Sequence, residues 1–573
     1  MAVRTRRLIL LIVGACIAAC ACRQQATPGA TAGTPFDLLI TGGRVVDGTG
    51  APWFMADLGI TGDRITAIGR LADLPATRRI DAAGLVVAPG FIDMLGQSEF
   101  SVLADGRAAS KIMQGVTTEV TGEGSSIAPL NDRMFDQARP QFDRYKLTLD
   151  FHTLGEYFDR LQTRSRPAIN VGSFVGAGGV RSFVVGDAQH TATPAELDAM
   201  KKLVADAMEQ GALGLSTSLQ YVPSRFASTD ELVALATVAA QYGGIYITHQ
   251  RSESAQIDSS LDEVFTIAER AHIPAEIWHL KTAYKANWGR MPQVLGRIAQ
   301  ARARGLDVTA DVYPYDRASN GLDACLPLWV RDGGVEPMLR RLNDPSQPER
   351  IKREMDDPNV TEWENQWYGS GGAAGVMLSA VVEPSLKQYE GMTLDTIAAA
   401  MKKDPRDAVM DIVIADLGRS DVITAIMSPE DVRTALADPL VAIGTDSGAR
   451  AEDGPMSGTK SHPRGWGSFP RILGHYVRDE RLFTLEEAVR RFTSRAAWRV
   501  GMSDRGILRP GMKADVTIFD PGTVRDVATF ESPAHYAEGI KYVLVNGQLV
   551  VDSGRITDAR PGQVIRGPGY HAR

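Results

Sequence analysis

GIYITHQ (residues 244–250), AEIWHLK (275–281) and VAIGTDS (441–447) decide how this chain is read. Each is an apolar run of strand length, flanked by segments of helical periodicity. Each also carries, at or near its end, a residue that can bind a metal or move a proton: His249, His279 and Asp446. Side chains at the carboxyl ends of parallel strands converge on the mouth of an α/β barrel. The three runs therefore predict one shared site.

Working outward, FIDM (91–94), VTTEVTGE (116–123), AINVGSFVG (168–176), ALGLSTSL (212–219) and DVTADVYPY (307–315) bring the candidate strands to eight. Helical patterns lie between most of them. Thr193-Pro194-Ala195-Glu196 and Ser228-Thr229-Asp230-Glu231 read as capping boxes that open two of these helices. Alternating strands and helices indicate a parallel sheet, and eight units fit a closed (β/α)8 TIM-like barrel over residues 89–504. The gap before the last strand, about 320–439, is too long for a connection and predicts an inserted helical segment. Its YGSGGAAG stretch (368–375) lacks the Lys-Ser/Thr of a phosphate-binding loop.

The two ends differ in style from the middle. FDLLITGGRVVDGTG (36–50), ADLGITGDRITAIGRL (56–71), GILRPGMKADVTIFDPG (506–522) and IKYVLVNGQLVVDSGR (540–555) alternate, broken by Gly and Asp as in hairpins. Residues 36–88 and 505–560 together predict one small β-sandwich built from both termini.

Composition sets outer bounds. The chain has 573 residues, a net charge of -7 and 44% hydrophobic residues, enough for a large core and a second domain. No basic cluster beyond the N-terminus points to nucleic acid. Arg4, Arg6 and Arg7 precede LILLIVGACIAAC (8–20), a signal-peptide pattern over residues 1–19. Ile17-Ala18-Ala19-Cys20 resembles the lipobox of bacterial lipoproteins, with Cys20 the lipidated residue and 20–35 a polar tether. Export to the periplasmic face of a bacterial membrane, with contact only through that anchor, is the expectation. The body retains a single cysteine, Cys325, so no disulfide framework is expected, and it reads as a small buried hydrophobe.

His249 and His279 end consecutive strands, where neutral imidazoles can share a zinc ion. Each taken alone reads as an ordinary structural histidine. Asp446 faces them, and a carboxylate there can serve as general base and then acid. Its plainer role is a helix N-cap in the TDSG turn. No Gly-x-Ser-x-Gly elbow and no His-Glu-x-x-His appears.

PGFID (89–93), QGVTTEVTGEGSSIAP (114–129), YITHQRSE (246–253), WHLK (278–281), NWGR (287–290), DVYPY (311–315), GTDS (444–447) and HPRGWGSFPRILGHYVR (462–478) together resemble the amidohydrolase superfamily, and within it the D-aminoacylase (N-acyl-D-amino-acid deacylase) family. The likeness runs from about Phe36 to Asp552. It implies a (β/α)8 barrel with a small β-sandwich, and zinc-dependent hydrolysis of a C–N amide bond in N-acyl-D-amino acids or similar small amides. Metal-binding histidines carry over to His249 and His279, and the catalytic aspartate to Asp446. The family's carboxylate-binding lysine and arginine carry over to Lys281 and Arg464, and its tyrosine to one of Tyr313 and Tyr315. The substrate implied is a small molecule with a free carboxylate.

Two departures reshape the expected site. Amidohydrolases carry His-x-His after the first strand, where this chain has Leu95 and Gln97. D-aminoacylases carry a metal-binding cysteine after the second strand, where this chain reads Gly122-Glu123-Gly124. Glu123 is the substitute able to ligate; its plainer reading is a solvated turn glutamate. The expectation is one Zn²⁺ held by Glu123, His249 and His279. A dipeptidase or cyclic-amide hydrolase on the same scaffold, and a non-catalytic ligand-binding lipoprotein, are the alternatives.

Overall fold

The computed structural model describes residues 35–571; the signal pattern and Cys20 lie outside the described residues. The alternating segments at the two ends become one nine-stranded sheet. From the N-terminal end come β1 (Phe36–Val45), β2 (Phe54–Thr61), β3 (Arg64–Gly69), β4 (Ala76–Asp81) and β5 (Val86–Pro89).

The middle of the chain then gives β6 (Phe91–Asp93), β7 (Val116–Thr121), β8 (Asn170–Ser173), β9 (Val175–Gly176), β10 (Gly214–Ser218), β11 (Ile245–His249), β12 (Ala275–Ile277) and β13 (Val308–Val312). An inserted stretch supplies β14 (Ala318–Gly321), β15 (Val376–Ala380) and β16 (Asp421–Thr424), before β17 (Val441–Ile443). The C-terminal end adds β18 (Val516–Phe519), β19 (Ile540–Val545), β20 (Gln548–Asp552) and β21 (Arg555–Ile556).

The two ends meet where β18 runs antiparallel to β5, with Val516 opposite Pro89. Asn546 and Gly547, between β19 and β20, have φ of 47° and 80°. A two-residue hairpin turn of the type that matches strand twist requires those signs, and Asn-Gly tolerates them best.

In the middle, β6, β7 and β8 form one parallel sheet, and β9 to β13 with β17 form another, in the order β17-β13-β12-β11-β10-β9. Only Phe174 separates β8 from β9, so the run AINVGSFVG serves both sheets. At the other side Gly96 and Ser447 make a parallel bridge, and the Asp446 N–H donates to Leu95 O at 2.8 Å. Every residue of these strands is buried, as parallel strands covered by helices require. Ile92, Val120, Phe174, Leu213, Ile245, Trp278 and Ala442 share one apolar cluster, with residues on β6, β7, β11 and β17 and others adjoining β8, β10 and β12.

The helix Pro194–Glu209 begins with the full capping box expected of Thr193 and Glu196. The second predicted box is only half made. Ser228 accepts from the Glu231 N–H, but the Glu231 carboxylate is taken by Arg181 at 2.6 Å. A buried guanidinium needs a paired anion more than a helix end needs a second cap.

The inserted stretch also departs from expectation. It is not purely helical: β14, β16 and β15 form an antiparallel sheet, whose Val376, Leu378 and Val422 share a core with residues of the short helices. Strands of four and five residues are too short for their alternation to stand out. The insertion has its own core, which includes Leu322, Cys325, Val376, Ile397 and Val413. Cys325 is free and buried there, and burial pushes its thiol up to about 12. The helix Pro429–Ala437 lies outside that core and packs on β13 and β17. Among the described residues, no helix is long and apolar enough to cross a membrane.

Candidate metal centre

The strands end, and the chain turns sharply, at the residues that build the site. After β7, Gly122 has φ of 98°, and a Cβ there would lie 2.6 Å from the Phe174 carbonyl oxygen. Only glycine makes that turn, and it swings Glu123 over the strand ends. His279 follows β12 with φ of 35°, and Asp446 follows β17 with φ of 49°. Non-glycine residues held in the left-handed region are strained, and such strain gathers at functional sites.

The result is convergence. His249 Nδ1 lies 3.0 Å from Glu123 Oε1, and His279 Nε2 lies 3.4 Å from the same oxygen. One donor atom from each of the three residues falls within 4.8 Å of the others. Ligands each about 2.0–2.2 Å from a zinc ion have separations of this order. One carboxylate oxygen and two imidazole nitrogens are a zinc donor set, so the residues fit the ion.

Glu253, which the sequence gave no reason to choose, stands behind both rings. Its Oε1 is 3.0 Å from His279 Nδ1, and its Oε2 is 3.9 Å from His249 Nε2. Only the His279 contact is close enough to hold a ring the way metal-binding imidazoles are commonly held, with the far nitrogen on a carboxylate; His249 Nε2 has no hydrogen-bond partner. Burial and the Lys281 charge work to lower the His279 pKa, but Glu253 and Glu123 outweigh them and lift it to about 10. A metal bound by His279 would have to displace a proton. Burial works to raise the Glu123 carboxyl, but hydrogen bonds and charge from the two histidines hold it well below its ordinary range.

Asp446 completes the cluster. Its Oδ1 accepts from Gln97 Nε2 at 2.8 Å, and its Oδ2 lies 2.7 Å from Arg464 Nη1. Burial raises its carboxyl above the ordinary value; Arg464 and His279 oppose that, and Glu123 adds to it. Beneath it, the buried Lys111 ammonium bonds Asp93, Thr445 Oγ1 and Ser447 O, each at 2.7 Å, and pins the turn that carries the aspartate.

The other sequence-predicted residues divide. Lys281, Arg464 and Tyr313 line a cleft of about 410 Å³ with the metal-site residues and Asp446. Within it, the Lys281 ammonium is engaged by Glu253 at 2.8 Å. Arg464 lies 4.6 Å over the Tyr313 ring, and Arg464 Nε and the Tyr313 hydroxyl are buried without partners. Tyr315 is a correction: it does not line the cleft, and its hydroxyl donates to Asp526 at 3.3 Å. The strand ends at Val312, so residues two apart beyond it no longer share a direction. His462, a weaker sequence candidate, accepts the Arg464 N–H on Nδ1 at 3.0 Å and so braces that residue. Arg251 is committed to Glu263. The insertion contributes Asn320, Glu364, Gln366, Ser379 and Asp421 to the facing wall.

The amidohydrolase family profile matches residues 78–322 and 393–551. A D-aminoacylase of Alcaligenes xylosoxydans xylosoxydans is 36% identical over 541 residues, 93% of this chain and 98% of that protein. The chain belongs to the D-aminoacylase family of amidohydrolases. An N-acyl-D-glutamate deacylase of the same organism is 34% identical, over 92% of this chain and 96% of that protein. Among solved structures of the family, the N-acyl-D-glutamate deacylase of Bordetella bronchiseptica, complexed with zinc and a phosphonate inhibitor, superposes with a TM-score of 0.76 at 33% identity, covering 93% of this chain and all of that one. A D-aminoacylase described as having a binuclear metal center matches with a TM-score of 0.76 at 34% identity, over 92% and 99% of the two chains.

Proposed function

We propose that this enzyme hydrolyses the amide bond of N-acyl-D-amino acids or similar small amides, with one zinc ion held by Glu123, His249 and His279. The observation that carries the reading is the convergence of one carboxylate oxygen and two imidazole nitrogens beside Asp446. The relatives' activities, on N-acyl-D-glutamate and N-acyl-D-aspartate among others, point the same way. The eight strand runs act as a (β/α)8 barrel with a sandwich from the chain ends, which puts the four residues at one rim.

Zinc, when bound, supplies Lewis acidity that polarises the scissile carbonyl and makes water acidic enough to deprotonate near neutral pH. Asp446 does the proton work: it takes a proton from the attacking water and hands it to the departing nitrogen. Arg464 favours the ionised form of Asp446 against the effect of burial. Arg464 Nε and the Tyr313 hydroxyl, buried without partners, suit the substrate's carboxylate, since orphan donors of this kind are costly unless a ligand satisfies them. Lys281 acts on the other side, fixing Glu253 behind the histidines. The insertion closes the cleft and contacts the part of the substrate beyond the scissile bond. The chain works at the periplasmic face, tethered through Cys20; the Ile17–Cys20 pattern supports this.

The test is a panel of N-acyl-D-amino acids, their L-enantiomers, dipeptides and cyclic amides, run beside metal analysis of wild type and Glu123→Ala. The reading expects turnover of N-acyl-D-amino acids, about one zinc per chain, and loss of both in the variant. Preferred turnover of dipeptides or cyclic amides overturns the substrate assignment. Full zinc occupancy in Glu123→Ala overturns the site.

A further inference from the structure

We infer that Gln97 is a positioning residue whose carboxamide fills the place between Glu123 and Asp446 that a second cation would otherwise take. The inference rests on the one-zinc reading above and explains how the chain enforces it. Gln97 Nε2 donates to Glu123 Oε2 and to Asp446 Oδ1, both at 2.8 Å. The nitrogen end of the amide faces both carboxylates, and an amide N–H can only donate. That nitrogen has two protons, and each carboxylate takes one. It has no lone pair left for a metal.

The backbone fixes the arrangement. The Gln97 N–H donates to Ser447 O at 3.2 Å, and the Gly96–Ser447 bridge holds the two strand extensions side by side. Gln97 and Asp446 therefore approach from adjoining segments, independently of any ligand. Leu95 is wholly buried in apolar packing and offers nothing to an ion.

The consequence is a division of oxygens. Glu123 keeps Oε1 for the histidines and commits Oε2 to Gln97. Asp446 commits Oδ1 to Gln97 and Oδ2 to Arg464. Neighbouring carboxylates repel, and a proton, a cation or a hydrogen-bond donor between them relieves the repulsion. Here a neutral donor does so. A second metal entering between them must break both hydrogen bonds donated by the Gln97 amide and gains at most one weak oxygen from it. Excess zinc therefore does not fill a second position in this chain, in contrast to the relative whose binuclear centre is linked with second-metal attenuation.

The experiment uses the full zinc-loaded chain as wild type, Gln97→Ala and Gln97→Glu. Bound zinc is measured by mass spectrometry after equilibration at rising free zinc, and kcat and KM are measured separately. Wild type is expected to stay at one zinc across the series. Gln97→Glu replaces the donor by a third carboxylate and is expected to take up a second zinc. Gln97→Ala is expected to keep one zinc and lose about 10–100-fold in kcat, the range for residues that orient metal-site groups, with KM little changed. A wild type that binds a second zinc overturns the inference. So does a one-zinc wild type with both variants unchanged in kcat and stoichiometry, which leaves the zinc reading standing. A wild type with no zinc overturns both. Gln97 is exposed to the cleft, and melting curves of the variants confirm that they are folded.

Discussion

Glu253 Oε1 stands 3.0 Å from His279 Nδ1, on the side of the ring away from Nε2, which faces Glu123. Through Oε2 the same carboxylate reaches toward His249. At His279 Nδ1 it acts together with Lys281 Nζ, 2.7 Å away, while His249 Nε2 is beyond hydrogen-bond reach. Glu253→Ala should weaken zinc binding by about 10–100-fold, read by competition with a chromophoric chelator. Glu253→Gln, which keeps an acceptor, should lose less. Equal affinity in wild type and Glu253→Ala would show that the rings are held by packing alone.

Asp446 is the proton carrier in this reading, so Asp446→Asn should lower kcat by about 10²–10⁴-fold while zinc content stays at the wild-type value. Metal analysis beside steady-state kinetics checks both halves. Loss of zinc in the variant would make Asp446 a ligand instead.

Arg464 lowers the Asp446 pKa against burial, which raises it. A base works only when deprotonated, so activity falls as pH drops through that pKa. Arg464→Gln removes the opposing charge, and the acid limb of the kcat/KM profile should move to higher pH. KM for carboxylate-bearing substrates should rise in the same variant. An unmoved acid limb would separate Arg464 from Asp446.

Glu99 accepts the Gly122 N–H at 2.6 Å under the turn that carries Glu123. Burial, with the Glu123 charge adding, raises its carboxyl from 4.5 to about 7. A folded pKa above the unfolded one means the folded state prefers the protonated acid. That stability is present in full below the ordinary carboxylate range and is lost as pH rises through about 7. Glu99→Gln should therefore melt a few degrees above wild type at pH 8 and show little difference at pH 5. Thermal melts at the two pH values decide it, and a gain confined to low pH would contradict the sign.

Arg181 and Glu231 pair at 2.6 Å with side chains 1% and 7% exposed. Removing one partner leaves a buried charge alone, so Glu231→Ala should cost about 3–5 kcal/mol. Denaturant melts measure it. A loss below about 1 kcal/mol, the size of an exposed ion pair's contribution, would show that Arg181 is not left as an uncompensated buried charge.

The runs before His249, His279 and Asp446 were legible because they are largely apolar up to the strand end, so a polar side chain emerging there is conspicuous. His249, His279 and Asp446 stood out for that reason. Glu253 did not, because it lies in an irregular loop between β11 and the helix Ile257–Arg270, where no periodicity ties a side chain to a direction. Gln97 was legible as a missing ligand but not as a donor, since its partners lie on β7 and β17 extensions far away in sequence. The short strands of the insertion escaped for want of length, and Glu231 was misassigned because its partner Arg181 is distant. What eluded the sequence was pairing across the fold.

The sheet made from both chain ends has a consequence for how the molecule is born. β5 finds its neighbour β18 only after most of the polypeptide has been synthesised. Until then the first five strands carry an unfilled edge, which is where extended chains stick to one another. Such distant pairing is slow to form. A chain cut short before Val516 should accumulate as aggregate even though every residue of the catalytic cleft is present.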